Sequence, residues 1–188
     1  MKRLMTIGLC VLSLNAFGKV TLSENPTIKF TGYKFTEKLG VSGNFKKIEW
    51  KVSKSAKSLS ELIKGAKVRI DTHSIDAGNE ARNMNITEGL FKHWGDRYIE
   101  VEFKEVDEKN QTIKAEMEVG SQDEDVYFQY YKNKSGDYVF TGSIDLLQMG
   151  FSKAYYALAE ICGDMHTGKD GVKKSWPVVD IEVTAKIK

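Results

Sequence analysis

Period-two alternation of apolar and polar residues runs through most of the chain and predicts strands. It is clearest from Tyr98 to Val106, where Ile99, Val101 and Phe103 fall on one face and Glu100, Glu102 and Lys104 on the other. That pattern marks an antiparallel strand with one buried face. Thr112 to Val119 repeats it through Ile113, Ala115, Met117 and Val119, after a polar hairpin loop at Asp107 to Gln111. Gly120 to Asp125 reads as a further turn, followed by a strand from Val126 to Tyr131, a turn at Asn133 to Asp137, and a strand from Tyr138 to Leu147. A last strand alternates through Val178, Ile181, Val183, Ala185 and Ile187. Earlier in the chain, Thr27 to Tyr33 places Ile28 and Phe30 on one side, and Lys67 to Thr72 alternates through Val68 and Ile70. Gly40 to Val52 keeps one phase through Val41, Gly43 and Phe45, then the opposite phase through Ile48, Trp50 and Val52. A bulge or bend near Lys46-Lys47 reconciles the two halves, and such bends curl sheets into barrels.

Helical signals are few. Ser58-Leu59-Ser60-Glu61 has the form of a capping box, with Gly65 as the stop of a short helix. Ser152 to Cys162 predicts a helix that sets Phe151, Tyr155, Leu158 and Cys162 on one face. Between the strands ending at Thr72 and starting at Tyr98 runs SIDAGNEARNMNITEGLFKHW, a polar helical segment that ends in an aromatic cluster. Most other strands are joined by short polar turns, so this long crossing is expected to cover the mouth of a barrel. At least seven antiparallel strands with two or three short helices predict a mainly β fold, an up-and-down barrel of about eight strands. An open sheet packed on one helix is the alternative. Too few helical turns are available to cover that many apolar strand faces, which favours the barrel.

The N-terminus adds a location. Lys2-Arg3, the apolar run Leu4 to Leu14, and Ala16-Phe17-Gly18 have the order of a cleavable signal peptide over residues 1–18, leaving one domain over residues 19–188 in the periplasm. The apolar run is shorter than the roughly 20 residues that span a bilayer. Leu9 before Cys10 argues against a lipid-attachment box. Cleavage takes two of the 28 basic residues and none of the 26 acidic ones, so 26 face 26 and the formal charge falls to about zero. With no basic patch left, nucleic-acid binding is not expected. Cys162 is then the single cysteine, expected to be buried and inert rather than a redox nucleophile.

Candidate chemistry is sparse. His73, His93 and His166 have no partner at the spacing of a metal pair, and no GxSxG nucleophile motif occurs. Glu100 and Glu102 lie on the outer face of a strand. Gly163 to Asp170 nearly copies a phosphate-binding loop, but Asp170 replaces the hydroxyl and a helix precedes the loop instead of following it. A hairpin turn at Lys169-Asp170-Gly171 explains that stretch better. No metal, no cofactor and no catalytic residue is therefore expected. The enzyme alternative is a barrel that positions a small hydrophobic substrate for His93 or Asp164 as base, and a ligandless structural protein is a third reading.

The signal peptide, the GVSGNFKKIEW strand, and AKVRIDTHSIDAGNEARNM running on into LFKHW and YIEVEF resemble the YceI-like family. These are secreted bacterial proteins with an extended lipocalin-like barrel that bind polyisoprenoid or similar lipids. The resemblance spans nearly all of residues 19–188. Two family patterns are missing: a basic-Gly-x-Thr-Lys-Pro strand, where this chain reads VYFQYYKNK, and an Arg-x-Asp-Phe-Gly-like turn, where it reads DLLQMG and keeps only Gly150. The resemblance implies binding without covalent chemistry: an apolar tunnel takes up a long-chain lipid such as a polyisoprenoid, each buried methylene contributing about 0.8 kcal/mol. The lining is expected from Phe45, Trp50 and Ile70 in the early strands, and from Met84, Phe91 and Trp94 in the crossing. Val101, Phe103 and Met117 should line it from the middle strands, and Ile144 and Met149 from the last third. Met84, Met117 and Met149 suit an adaptable pocket. Transient contact with a membrane surface and a homodimer are the further partner expectations.

Overall fold

The computed structural model describes residues 18–188, so the expected signal peptide lies, but for Gly18, outside the described residues. Fifteen elements follow in order: β1 (Val20–Thr21), β2 (Thr27–Lys34), β3 (Leu39–Phe45), β4 (Ile48–Lys51), β5 (Ser55–Ala56), α1 (Leu59–Ile63), β6 (Lys67–Asp71), β7 (Ile75–Asp76), α2 (Glu80–Gly89), β8 (Tyr98–Asp107), β9 (Thr112–Val119), β10 (Gln122–Lys132), β11 (Tyr138–Asp145), α3 (Ser152–Ile161) and β12 (Ser175–Ala185). β1 and β5 form a small pair of their own, and ten strands form one curled antiparallel sheet in the order β4-β6-β8-β9-β10-β11-β12-β2-β3-β7.

The ends of that sheet meet. β3 and β4 are two halves of one bent strand, and β6 and β7 are two halves of its partner: Ile48 pairs with Ile70 on one side of the bend, and Phe45 with Ile75 on the other. Counting each bent pair once reduces ten strands to eight in a ring, the number at which a barrel encloses either packed side chains or one small ligand.

Lys46 and Lys47 are the bend itself, exposed between β3 and β4. Opposite them the partner strand makes a 3-10 turn at Thr72–Ser74. The two kinks are stitched together, since the Lys46 amide donates to the Ser74 carbonyl (2.9 Å) and the Lys47 amide donates to Ser74 Oγ (2.9 Å). Asp71 anchors the corner from within: its carboxylate accepts from Arg97 Nε (3.0 Å), Arg97 Nη2 (2.7 Å) and the His73 amide (3.1 Å). The phase reversal along residues 40–52 is thus a break matched on both strands. Because both strands restart together, Phe45 and Trp50 still face the same interior.

A second irregularity falls between Phe103 and Glu105, which pair with Ala115 and Lys114. Lys104 is the extra residue, and its ammonium turns out to Glu102 (2.7 Å) and Glu116 (3.2 Å). The end of α1 docks beside this bulge through Gly65 N–H to the Phe103 carbonyl (2.7 Å) and Phe103 N–H to the Ala66 carbonyl (3.0 Å). Ser58 caps α1 as expected, its Oγ accepting from the Glu61 amide (3.1 Å), and the helix adds Leu59, Leu62 and Ile63 to the core.

One expected turn is corrected. Gln122 to Asp125 belongs to β10, and the connection shrinks to Gly120-Ser121. Three consecutive acids suit a strand here because their backbone pairs with β9 while the side chains stay in water, where Asp125 meets Lys114 (2.8 Å). Gly120 turns with φ 63°, and a Cβ there would stand 2.9 Å from the Trp94 carbonyl. β11 likewise stops at Asp145, whose carboxylate accepts from the amides of Leu147 (2.9 Å) and Gln148 (3.3 Å) and folds the chain toward α3.

Candidate functional site

A cavity of about 300 Å³ lies inside the ring. Each inward strand contributes every second residue, as the pleat requires. β2 supplies Ile28, Phe30, Gly32 and Lys34, and β10 supplies Val126 and Phe128. Of the eleven expected lining residues, Phe45, Trp50, Ile70, Phe91 and Trp94 border this space. So do Val101, Phe103, Met117 and Ile144. The other two do not. α2 turns Arg82, Asn85 and Ile86 toward the cavity, so Met84 falls on the opposite side of the helix and is 61% exposed. Met149 is buried, but in the turn between β11 and α3, where its amide donates to the Asp145 carbonyl (3.0 Å).

Aromatic rings close one side. Phe30, Phe45, Phe91, Trp94 and Phe151 follow one another with centroid separations of 5.5, 6.0, 5.0 and 4.8 Å. The crossing thus delivers Phe91 and Trp94 into the barrel wall as an edge-on pair, a geometry favourable beyond simple burial. The indole N–H groups of Trp50 and Trp94 are buried without a hydrogen-bond partner among the described residues. Buried tryptophans usually find one, so both donors are available to an acceptor atom.

The mouth lies between α2, α3 and the neighbouring ends of β2 and β12, and its lining is of different character. Arg82 and Asn85 reach it from α2, His166 from the turn after α3, Lys34 from the end of β2, and Ser175 and Trp176 from the start of β12. His166 Nδ1 lies 2.7 Å from Ser175 Oγ, and the Tyr155 hydroxyl donates to the Ser175 carbonyl (2.8 Å). Burial pushes the His166 pKa down, and the positive charges of Lys34 and Arg82 push it the same way, which keeps the ring neutral over a wider pH range. Cys162 also borders the cavity, and burial pushes its thiol up, away from the reactive thiolate.

The candidate bases Asp164 and His93 stand elsewhere. The Asp164 side chain is 96% exposed and pairs with Lys173 (2.7 Å), while His93 sits in the 3-10 turn Phe91–His93 away from the cavity lining. Among the described residues no group of three or more His, Cys, Asp or Glu could hold a metal ion, and no helix is long and apolar enough to cross a membrane. Gly163 to Asp170 forms a 3-10 turn and a hairpin closed by the Thr167 and Lys173 bridge.

Neither a family model nor a curated protein matches the chain by sequence. Solved structures do match in shape. BcnA of Burkholderia cenocepacia is 12% identical with a TM-score of 0.55, over 87% of this chain and 96% of that one. A polyisoprenoid binding domain from Saccharophagus degradans, implicated in plant cell wall breakdown, is 12% identical with a TM-score of 0.54, over 89% and 96%. A YceI protein of Campylobacter jejuni is 17% identical with a TM-score of 0.53, over 81% and 89%. At these identities what is shared is the fold: the chain has the curled antiparallel barrel of YceI and polyisoprenoid-binding structures.

Proposed function

We propose that this protein binds an apolar, isoprenoid-like lipid chain inside its barrel and carries it through the periplasm, without covalent chemistry. The observation that carries this reading is the cavity: about 300 Å³ enclosed by aliphatic and aromatic side chains from nearly every strand of the ring. An apolar cavity of about half that size stays dry and takes up benzene. By proportion this one has room for roughly a dozen carbons, the whole of a short chain or one segment of a long polyisoprenoid. Each methylene moved from water into it contributes about 0.8 kcal/mol. The binding named for the Saccharophagus domain, on the same fold, supports the ligand class. Export rests on the Lys2-Arg3, Leu4 to Leu14 and Ala16-Phe17-Gly18 pattern.

The test is mass spectrometry of an organic extract of the protein, purified without detergent from the periplasmic fraction of cells expressing the full chain. The expected result is a co-purifying apolar chain near one per protein, on a polypeptide that begins at Lys19. A protein that carries nothing and takes up no added hydrocarbon chain would overturn the binding reading. Retention of residues 1–18 in the cytoplasm would overturn the location alone.

A further inference from the structure

The mouth of the cavity is charged in one sense only. Lys34 and Arg82 line it together with the neutral ring of His166, and no Asp or Glu does. These residues come from three separate segments: the last position of β2, the first turn of α2 and the 3-10 turn after α3. Lys34 is in the inward phase of Ile28, Phe30 and Gly32, and it pairs across the sheet with Ser175, whose Oγ lies 2.7 Å from His166 Nδ1, which sets it near the end of α3. Some basic residues on this protein are paired, Lys67 with Glu102, Arg69 with Glu100 and Arg97 with Asp71, while others such as Lys47 and Lys51 stand exposed to water. Among the described residues Lys34 and Arg82 pair with no carboxylate. The Lys34 ammonium lies 4.6 Å from the centroid of the Phe35 ring, and Arg82 donates to the Ala77 carbonyl. The acids nearest them in sequence, Glu37 and Glu80, lie outside the lining, as does Asp164, which Lys173 already engages. Both cations are partly withdrawn from water. Such cations carry a desolvation cost that an anion relieves through charge-assisted hydrogen bonds.

We propose that the ligand is an acidic amphiphile of about a dozen carbons, its carboxylate or phosphate held at the mouth by Lys34 and Arg82 and its tail threaded into the cavity. Ser175 Oγ stands beside them as a further hydrogen-bonding group. This rests on the reading that the barrel takes up an apolar chain, and adds to it the sign of the head group and the length of the tail.

Isothermal titration of the protein with dodecanoate, dodecyl phosphate, dodecan-1-ol and dodecyltrimethylammonium separates head from tail, with acetate and inorganic phosphate as tail-less controls. Dodecanoate and dodecyl phosphate are expected to bind at least about tenfold more tightly than the alcohol, the charge-assisted bond being the stronger. The trimethylammonium compound should bind more weakly than the alcohol, and acetate and phosphate far more weakly than their dodecyl counterparts. Lys34→Gln should remove most of the acid-over-alcohol preference, read as the ratio of the two affinities within each variant, and Lys34→Arg should restore it. Lys34→Gln with Arg82→Gln should abolish it. If the alcohol binds the native protein as tightly as the acid, the head-group site is overturned while chain uptake stands. If inorganic phosphate binds as tightly as dodecyl phosphate, the mouth is a free-anion site and the proposal fails. If none of the four amphiphiles binds, uptake of an apolar chain itself fails.

Discussion

Gly32→Leu places a leucine in the space that a ligand chain would use. Gly32 lies between Phe30 and Lys34 on the cavity face of β2, and a Cβ built there meets nothing within 4 Å. Its φ is not in the left-handed region, so a side chain imposes no backbone strain. Burying a leucine contributes about 1.5–3 kcal/mol, and removing a glycine from a strand adds about 0.5–1 kcal/mol. Filling an empty cavity should therefore raise stability by about 2 kcal/mol, after allowance for the lost side-chain freedom. The four added carbons displace about four methylenes of ligand, worth about 3 kcal/mol, so dodecan-1-ol affinity should fall about a hundredfold. Urea unfolding measures the first quantity. Tryptophan fluorescence measures the second, because all three tryptophans of the chain, Trp50, Trp94 and Trp176, border the cavity. A filled interior would give the opposite pair of results: a loss of about 1–3 kcal/mol from overpacking and no change in alcohol binding.

Gly43→Ala is the contrasting substitution, since its Cβ would collide with the Phe30 ring and stand 2.7 Å from the Asp76 carbonyl; a loss of about 1–3 kcal/mol is expected in the same urea assay. Across alcohols of increasing length, each methylene should tighten binding about fourfold until roughly a dozen carbons and no further, read by titration. The hydrogen-bonded Arg97 guanidinium holds the Asp71 carboxyl below the usual range against the opposing effect of burial, with the His73 amide helping. A lowered folded-state pKa means that the stabilisation is complete above the ordinary carboxylate pKa of about 4 and is lost as pH falls through the folded value. Asp71→Asn should therefore cost about 1–3 kcal/mol at neutral pH and progressively less in acid, a comparison made by thermal unfolding across pH. Met84→Lys, on the outer side of α2, should leave both stability and chain binding unchanged in those same assays.

The strands were legible because one face of each is apolar and the other charged, a pattern that survives without any tertiary information. The closure of the ring was legible in one strand only: the phase change between Phe45 and Ile48 marks the bend, but its counterpart at Thr72–Ser74 leaves just Ile75 and Asp76 beyond it, too short a strand to show a period. The start of β10 reads as a turn because Asp123, Glu124 and Asp125 offer no apolar alternation, and pairing with β9 rather than burial makes it a strand. Met84 faces outward because α2 is polar nearly all round, so its inward side is chosen by the contacts with α3 and not by its own residues. Lys34 shared the phase of Ile28 and Phe30, the one sequence signal for the mouth, and a terminal lysine reads as a solvated end. Arg82 and His166 carried none, since helix and turn segments distant in the chain bring them to one rim. Whether the interior is hollow depends on summed side-chain volumes, which alternation does not report.

The most direct measurement is a crystal structure of the protein grown with 12-bromododecanoate, the bromine located by its anomalous scattering. One strong peak is expected inside the ring, among the apolar side chains below the mouth, with the carboxylate at Lys34 and Arg82. A bromine found only on the outer surface, or an interior that stays occupied by the protein's own side chains, would contradict it.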